Sequence, residues 1–321
     1  MEQKRPLIIL SGPTAAGKTE LSIALAKAIG GEIISADSMQ VYKHMDIGSA
    51  KIKPEEMEGV PHHLIDVLEP EEEFNVVIFQ RLCKAAMEEI YGRGHIPILT
   101  GGTGFYIQAV LYDIDFTEND GDTSYREQLE RLAKEQGSGY LHHLLAEVDP
   151  DSAQAIHPNN VKRVIRALEF AHQTHSPISA HNEEQRKRES HYASCYFILT
   201  DDREKIYESI DIRVDKMMKE GLLEEVTSLQ KRGCTRSMVS MQGLGYKEML
   251  AYLEGEISLE EAVYRIKRDT RHFAKRQLTW FKREKEVIWY HKGEFDYDKR
   301  AILEDMIKRI AGRLDENEVK I

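Results

Sequence analysis

"LIILSGPTAAGKTELSIALA", residues 7–26, decides the fold. An apolar, β-branched run leads into Gly12-x-x-x-x-Gly17-Lys18-Thr19, and a helical pattern follows, which is the strand–loop–helix setting of a phosphate-binding P-loop. Gly12, Pro13, Thr14, Ala15, Ala16, Gly17, Lys18 and Thr19 form the candidate anion loop. Its glycines let backbone N–H groups turn inward, the helix N-terminus adds its dipole, Lys18 supplies a point charge and Thr19 a hydroxyl for a magnesium ion. The plain alternative is a glycine-rich βα turn with no ligand. The loop alone does not say which phosphate compound it holds.

Outward from the loop, residues 6 to about 112 read as alternating strands and helices. Strand candidates are Leu7–Leu10, Glu32–Ser35, His63–Val67 and Ile96–Thr100, with helices beginning near Gly17 and Phe74. That rhythm predicts a three-layer α/β core, P-loop NTPase-like, with a mainly parallel sheet. From Asp113 the chain turns acidic and turn-rich ("DIDFTENDGDTS"), and helical patterns near 123–136, 139–147 and 159–174 follow without a clear strand. Residues 114–194 are therefore expected to be a helical insertion domain, and 1–113 with 195–321 the core, the sheet resuming at "CYFILT" (195–200). Ser258-Leu-Glu-Glu261 reads as a capping box opening a helix to about Lys285, and "VIWY" (287–290) could be a last strand.

The chain has 321 residues, 41% of them hydrophobic, enough for a full core in one large or two smaller domains. Its net charge of −11 argues, as an average, against a nucleic-acid partner, but local fields decide binding. Cys83, Cys195 and Cys234 form no C-x-x-C pair, so neither a disulfide framework nor a zinc site is expected. The N-terminal apolar run is too short for a signal-peptide core, and no segment approaches the roughly 20 apolar residues that span a bilayer. A cytoplasmic monomer with no membrane partner is expected.

A nucleotide-hydrolysing P-loop protein needs a strand ending in Asp or Glu for the magnesium shell. The strand expected beside the loop, "IPILTGGTGFY", ends instead in Gly101-Gly102-Thr103-Gly104; Asp66 in "HLIDV" is a weaker substitute, with a cap or turn role as its alternative. Group transfer fits better than a motor or switch. In "ISADSMQVY", Asp37 lies just past the second strand, on the side where ligands bind such sheets, and could be a base, a magnesium ligand or an Asx turn. Asp37, Ser38 and Gln40 offer donors and acceptors suited to a base edge.

Residues 265–285 carry nine Lys or Arg against two acids. Arg268, Arg271, Lys275 and Lys282 recur at helical spacing, either a basic stripe or a solvated face. "NNVKRVIRALEF" places Lys162, Arg163 and Arg166 on an insertion helix, and two basic helices flanking a phosphate site favour a polyanionic substrate. Arg213 in "IDIRVDKMM" is either a surface ion-pair residue or a bidentate donor to phosphate. The histidines at 62–63, 142–143, 157 and 172–175 match no recognised metal site.

Taken in order, "GPTAAGKT", "SADSMQVY", "PHHLIDV", "LTGGTGFYI", "VKRVIRALE", "QGLGYKE" and "KRQLTWFKR" resemble the tRNA dimethylallyltransferase (tRNA isopentenyltransferase) family, from the P-loop to about residue 285. The resemblance implies that the loop holds the pyrophosphate of dimethylallyl diphosphate, and that the acceptor is N6 of the adenosine 3′ of the anticodon of tRNA. It implies that Asp37 is the general base, and that Lys18, Thr19 with Mg²⁺, the loop amides and Arg213 stabilise the pyrophosphate. It implies that Thr103 touches the target nucleotide, that Asp37, Ser38, Met39 and Gln40 and the segment with Gln242, Gly243, Gly245 and Lys247 touch tRNA, and that the helical insertion grips the anticodon stem-loop. Two departures stand out: no Cys pair for the zinc finger of eukaryotic members, and Ala-Ala where many relatives have Ala-Ser. Three rival readings are a prenyltransferase of free adenine nucleotides, which needs neither basic helix nor insertion, a small-molecule kinase, and a non-enzymatic RNA-binding protein with a vestigial P-loop, against which the intact Lys18 and Thr19 argue.

Overall fold

A computed structural model describes residues 4–116 and 124–316. Part of the acidic stretch at 113–122 and the end of the charged tail lie outside them. Six strands, β1 (Arg5–Ser11), β2 (Gly31–Ser35), β3 (His62–His63), β4 (Ile96–Gly101), β5 (Tyr192–Thr200) and β6 (Val287–His291), form one sheet in the order β3-β2-β4-β1-β5-β6. Every pairing is parallel. The central strands are near-continuous apolar runs because both faces are covered, and Leu7 to Leu10 are wholly buried.

On one face, Leu21, Ile23 and Leu25 of α1 (Lys18–Ile29) share a buried cluster with Ile8, Leu10, Ile33 and Phe197. Ile302, Met306, Ile310 and Leu314 of the C-terminal helix, Lys299–Glu316, complete it. Leu7, Ile9, Ile34 and Leu99 alternate to the other face, where α2 (Val76–Gly92) packs on β2 and β4. The core is thus three-layered α/β with a P-loop at the end of β1.

The strand expected over 63–67 shrinks to His62–His63, because Leu64 and Asp66 take positive φ (61° and 54°) and end the pairing. At the N-terminal edge of the sheet, buried Glu32 accepts from Arg93 through both oxygens at 2.8 Å and lies 2.7 Å from a ring nitrogen of each of His63 and His95. The Arg93 guanidinium, helped by both histidines, holds this carboxyl at about 2, well below its ordinary 4.5.

The chain divides into two compact units, 1–111 with 190–321, and 112–189. The second unit stops short of the expected 194, since Tyr192, Ala193 and Ser194 already pair with Arg5, Pro6 and Leu7. Its described residues are helical. After α3 (Gly104–Leu111) come α4 (Ser124–Gln136), α5 (Ser138–Val148), α6 (Pro150–Ala155), α7 (Val161–Thr174) and α8 (Ile178–Lys187), with Leu129, Leu141, Leu145, Val164 and Leu168 at their core. Lys162 and Arg163 are exposed at the start of α7, and Arg166 is half-buried.

The first unit continues with α9 (Arg203–Glu220), α10 (Leu222–Lys231), α11 (Tyr246–Leu253), α12 (Leu259–Phe281) and α13 (Lys299–Glu316). Ser258 caps α12 by accepting from Glu261 N–H at 3.1 Å, but the reciprocal half of the expected capping box is missing: Glu261 instead accepts from Arg265 at 2.6 Å. The helix ends at Phe281, a turn before the expected Lys285. Cys83, Cys195 and Cys234 are buried free thiols.

Candidate active site

β1 delivers the P-loop at its C-terminal end, between the ends of β4 and β5. Gly12 has φ 145°, and a Cβ there would lie 2.1 Å from the carbonyl oxygen of Leu199 on β5, so only glycine fits. The loop turns back through Ala15 (φ 63°) and Gly17 (φ 94°) into the N-terminus of α1, and Thr19 stands exposed on its first turn. The Lys18 ammonium donates to the carbonyls of Gly12 at 3.0 Å and Pro13 at 2.8 Å. Burial, with the nearby Arg213 cation, pulls its pKa down to about 7, and Asp37 opposes both.

Arg213, on α9, donates to Thr14 Oγ1 at 3.4 Å, which brings the second cation to the loop across 199 residues of chain. Burial presses on its guanidinium too, again opposed by Asp37. Two partly desolvated cations beside a P-loop make a site that a polyanion relieves.

Asp37 follows β2. Its Oδ1 accepts from the N–H of Met39 at 2.8 Å and Gln40 at 3.4 Å, so the Asx turn is real and half of the carboxylate is engaged in it. The turn does not exclude chemistry at Oδ2. Gln40 behaves differently from the base-reading role expected of it. Its amide faces inward, with Ser35 Oγ donating to it at 3.0 Å and Nε2 reaching the carbonyls of Ser49 and Ala50 at 3.4 Å, so it shapes the loop instead.

β4 lies next to β1, as expected, and ends without a carboxylate. Asp66 is taken by Lys51 at 2.6 Å. Thr103 N–H donates to the Ala36 carbonyl at 3.3 Å, which fixes the glycine turn beside Asp37. Met39 in turn packs on Gly243, where a Cβ would meet its methyl at 2.5 Å. Gly245 N–H donates to Glu248 at 2.8 Å, Lys247 lies 3.5 Å from Glu248, and the exposed Gln242 donates to the Arg236 carbonyl. The segment that carries Asp37 is held to these residues by Glu225. It accepts from the N–H groups of Asp46, Ile47 and Gly48 (2.8, 2.7 and 3.0 Å) and from the Tyr246 hydroxyl at 2.8 Å.

The basic stripe of α12 is partly internal. Arg271 donates to both oxygens of Asp211 (2.6 and 2.8 Å), and Arg268 to its neighbour Asp269 (2.8 and 3.1 Å), whereas Lys275 and Lys282 are exposed.

The sequence reading missed Gln277, whose side chain lies between the P-loop and the glycine turn. It missed Glu225 as well. A polar residue in the otherwise apolar buried stripe Ala262, Ile266, Ala274, Phe281 is the signal that could have found Gln277.

A parallel sheet with a P-loop at its central strand, two cations on the loop and a glycine turn in place of a carboxylate at the end of β4 define a P-loop-like α/β protein. Comparison with known proteins is specific. The family model described as "IPP transferase" matches residues 40–284, and one described as "Isopentenyl transferase" matches 6–70. The chain is 64% identical over 304 residues to the tRNA dimethylallyltransferase of Lachnoclostridium phytofermentans, covering 95% of this chain and 97% of the relative. It is 51% identical to that of Acetivibrio thermocellus, covering 92% and 95%. Among solved structures it is similar to the full-length tRNA isopentenylpyrophosphate transferase of Bacillus halodurans (TM-score 0.72, 45% identity, 98% of each chain). A eukaryotic dimethylallyltransferase acting on tRNA is also similar (TM-score 0.75, 33% identity, 86% of this chain and 69% of that one). The chain belongs to the IPP transferase family.

Proposed function

We propose that this chain transfers the dimethylallyl group of dimethylallyl diphosphate to N6 of the adenosine 3′-adjacent to the anticodon of tRNA, releasing diphosphate. The observation that carries the reading is the meeting of Lys18 and Arg213 on a P-loop beside a strand that ends in glycines, with the Asp37 carboxylate near enough to act on both cations. N6 attacks C1 of the allyl group while the C1–O bond breaks. The N6 proton passes to Asp37, and the electron pair leaves with the diphosphate, whose growing charge meets Lys18, Arg213 and the loop amides.

An exposed Thr19 hydroxyl on the first turn of α1 is a sparse donor set. It suits Mg²⁺, which keeps several waters and binds mainly through substrate phosphates. Thr19 would hold that ion, which supplies charge neutralisation on the leaving group. Thr103 and the Gly243–Lys247 segment frame the base, while Lys275 on α12 and Lys162, Arg163 and Arg166 on α7 meet the phosphates of the anticodon stem-loop. On this reading the protein acts as a cytoplasmic monomer, and no described helix is long and apolar enough to cross a membrane.

The test incubates the protein and Mg²⁺ with labelled dimethylallyl diphosphate and an unmodified tRNA carrying adenosine at the target position, with AMP and ATP as alternative acceptors. Label in tRNA supports the reading. Label only in free nucleotide, or none anywhere, overturns it.

A further inference from the structure

Gln277 sits in the middle of α12, 6% exposed, between Ala274 and Phe281 on the buried stripe. An amide in such a position is costly unless both ends are satisfied, and here each end meets backbone from a different part of the chain. Its Oε1 accepts from Thr14 N–H in the P-loop at 2.9 Å, and its Nε2 donates to the Gly102 carbonyl in the glycine turn at 2.9 Å. A Cβ on residue 102 would lie 2.1 Å from that Nε2, so any side chain there would have to displace the amide. Thr14 is thereby held from two sides, its N–H by Gln277 and its hydroxyl by Arg213. α12 grips α9 as well, through Arg271 to Asp211 and Lys267 to Asp215 (2.6 Å).

We infer that Gln277 is a positioning residue that sets the spacing between the loop that holds the diphosphate and the turn that receives the base. This rests on the functional reading above, in which the reacting carbon and nitrogen are delivered by those two segments. Gln277 touches neither reactant. Its effect is on their mutual placement, and a misplacement of about 1 Å can lower a rate about a hundredfold without weakening either binding step.

The experiment compares kcat and KM for both substrates in wild type, Gln277→Met, Gln277→Ala, Gly102→Ala and the double variant Gln277→Ala/Gly102→Ala. Gln277→Met keeps the volume and removes both hydrogen bonds. It should lower kcat about 10- to 100-fold with each KM within about threefold. The Gly102→Ala methyl displaces the amide, so it should lower kcat in the wild-type background and much less once Gln277 is already Ala, a coupling that a general loss of stability does not produce. If Gln277→Met folds poorly, the Gly102 cycle carries the test on the remaining folded variants. An active wild type with kcat unchanged in Gln277→Met, a loss confined to KM, or additive effects in the cycle overturns the inference alone. A wild type that transfers nothing to tRNA overturns the functional reading and this inference with it.

Discussion

The guanidinium of Arg213 on α9 donates to Thr14 Oγ1 in the P-loop at 3.4 Å, so the anion loop is braced by a helix that the chain reaches only after the insertion. Arg213→Lys keeps a charge but loses the planar two-point donor. It should lower kcat about 10-fold or more while leaving the thermal midpoint within a few degrees, since a half-buried contact of this length contributes little to stability. Turnover at the wild-type level would remove Arg213 from the leaving-group site.

Asp37 has an observed role in the turn and a proposed role as base, and substitution separates them. Asp37→Asn keeps an Oδ1 acceptor for the N–H groups of Met39 and Gln40 but cannot take a proton, so kcat should fall about 10²- to 10⁴-fold with unfolding free energy unchanged. Asp37→Ala should lose the same rate and about 1 kcal/mol of stability besides. A fully active Asp37→Asn enzyme would show that the carboxylate serves only the turn.

On the proposed reading, Lys18, which burial brings down to about 7, makes diphosphate binding pH-linked. A bound diphosphate raises that pKa, so binding takes up a proton wherever the pH exceeds 7. Affinity for inorganic diphosphate should therefore weaken as pH rises from 7 to 9, by up to about one decade per pH unit, and Lys18→Arg should flatten the profile because it stays charged throughout. Parallel profiles for wild type and variant, by calorimetry, would count against a titrating Lys18.

Glu32 sets an acid limb. Its folded pKa, about 2, lies below the ordinary 4.5, so the stabilisation is fully present above pH 4.5 and is lost as pH falls through about 2. The shift corresponds to about 3 kcal/mol. Urea midpoints measured from pH 6 to pH 2 should fall steeply in wild type; Glu32→Gln should be less stable at neutral pH and show a shallower fall.

Salt dependence of tRNA binding should sort the basic residues by their existing partners. Lys275→Gln, Lys162→Gln and Arg163→Gln, at exposed positions, should each reduce the slope of log Kd against log salt by about 0.7 to 0.9. Arg271→Gln should change the slope less, because Arg271 already faces Asp211. Slopes equal to that of the wild type for all four variants would make α12 and α7 solvated faces.

Much of this was legible in the sequence where the signal is local. The P-loop, the apolar strands and the Ser258 cap depend on neighbours a few residues away, and each appears close to where the pattern puts it. The strand over 63–67 failed because positive φ at Leu64 and Asp66 leaves no mark in an apolar run. The roles of Gln277, Glu225 and the Asp211–Arg271 pair were not legible, because each is created by docking between segments tens to hundreds of residues apart. For Gln40, the amide is visible in the sequence, but the carbonyls of Ser49 and Ala50 that accept from it and the Ser35 hydroxyl that donates to it are not.

The place of β1 in the sheet also bears on how the chain is made. It leaves the ribosome well before one of its two partners: it is paired on one edge with β4 and on the other with β5, which begins only at Tyr192. Until translation has passed the middle of the chain, an apolar strand edge has no native partner, and Gly12 has no Leu199 to rest against. Such long-range closure is slow, and the waiting edge is open to pairing with other nascent chains. The loop that opens at Gly12 is therefore made long before the strand it rests against.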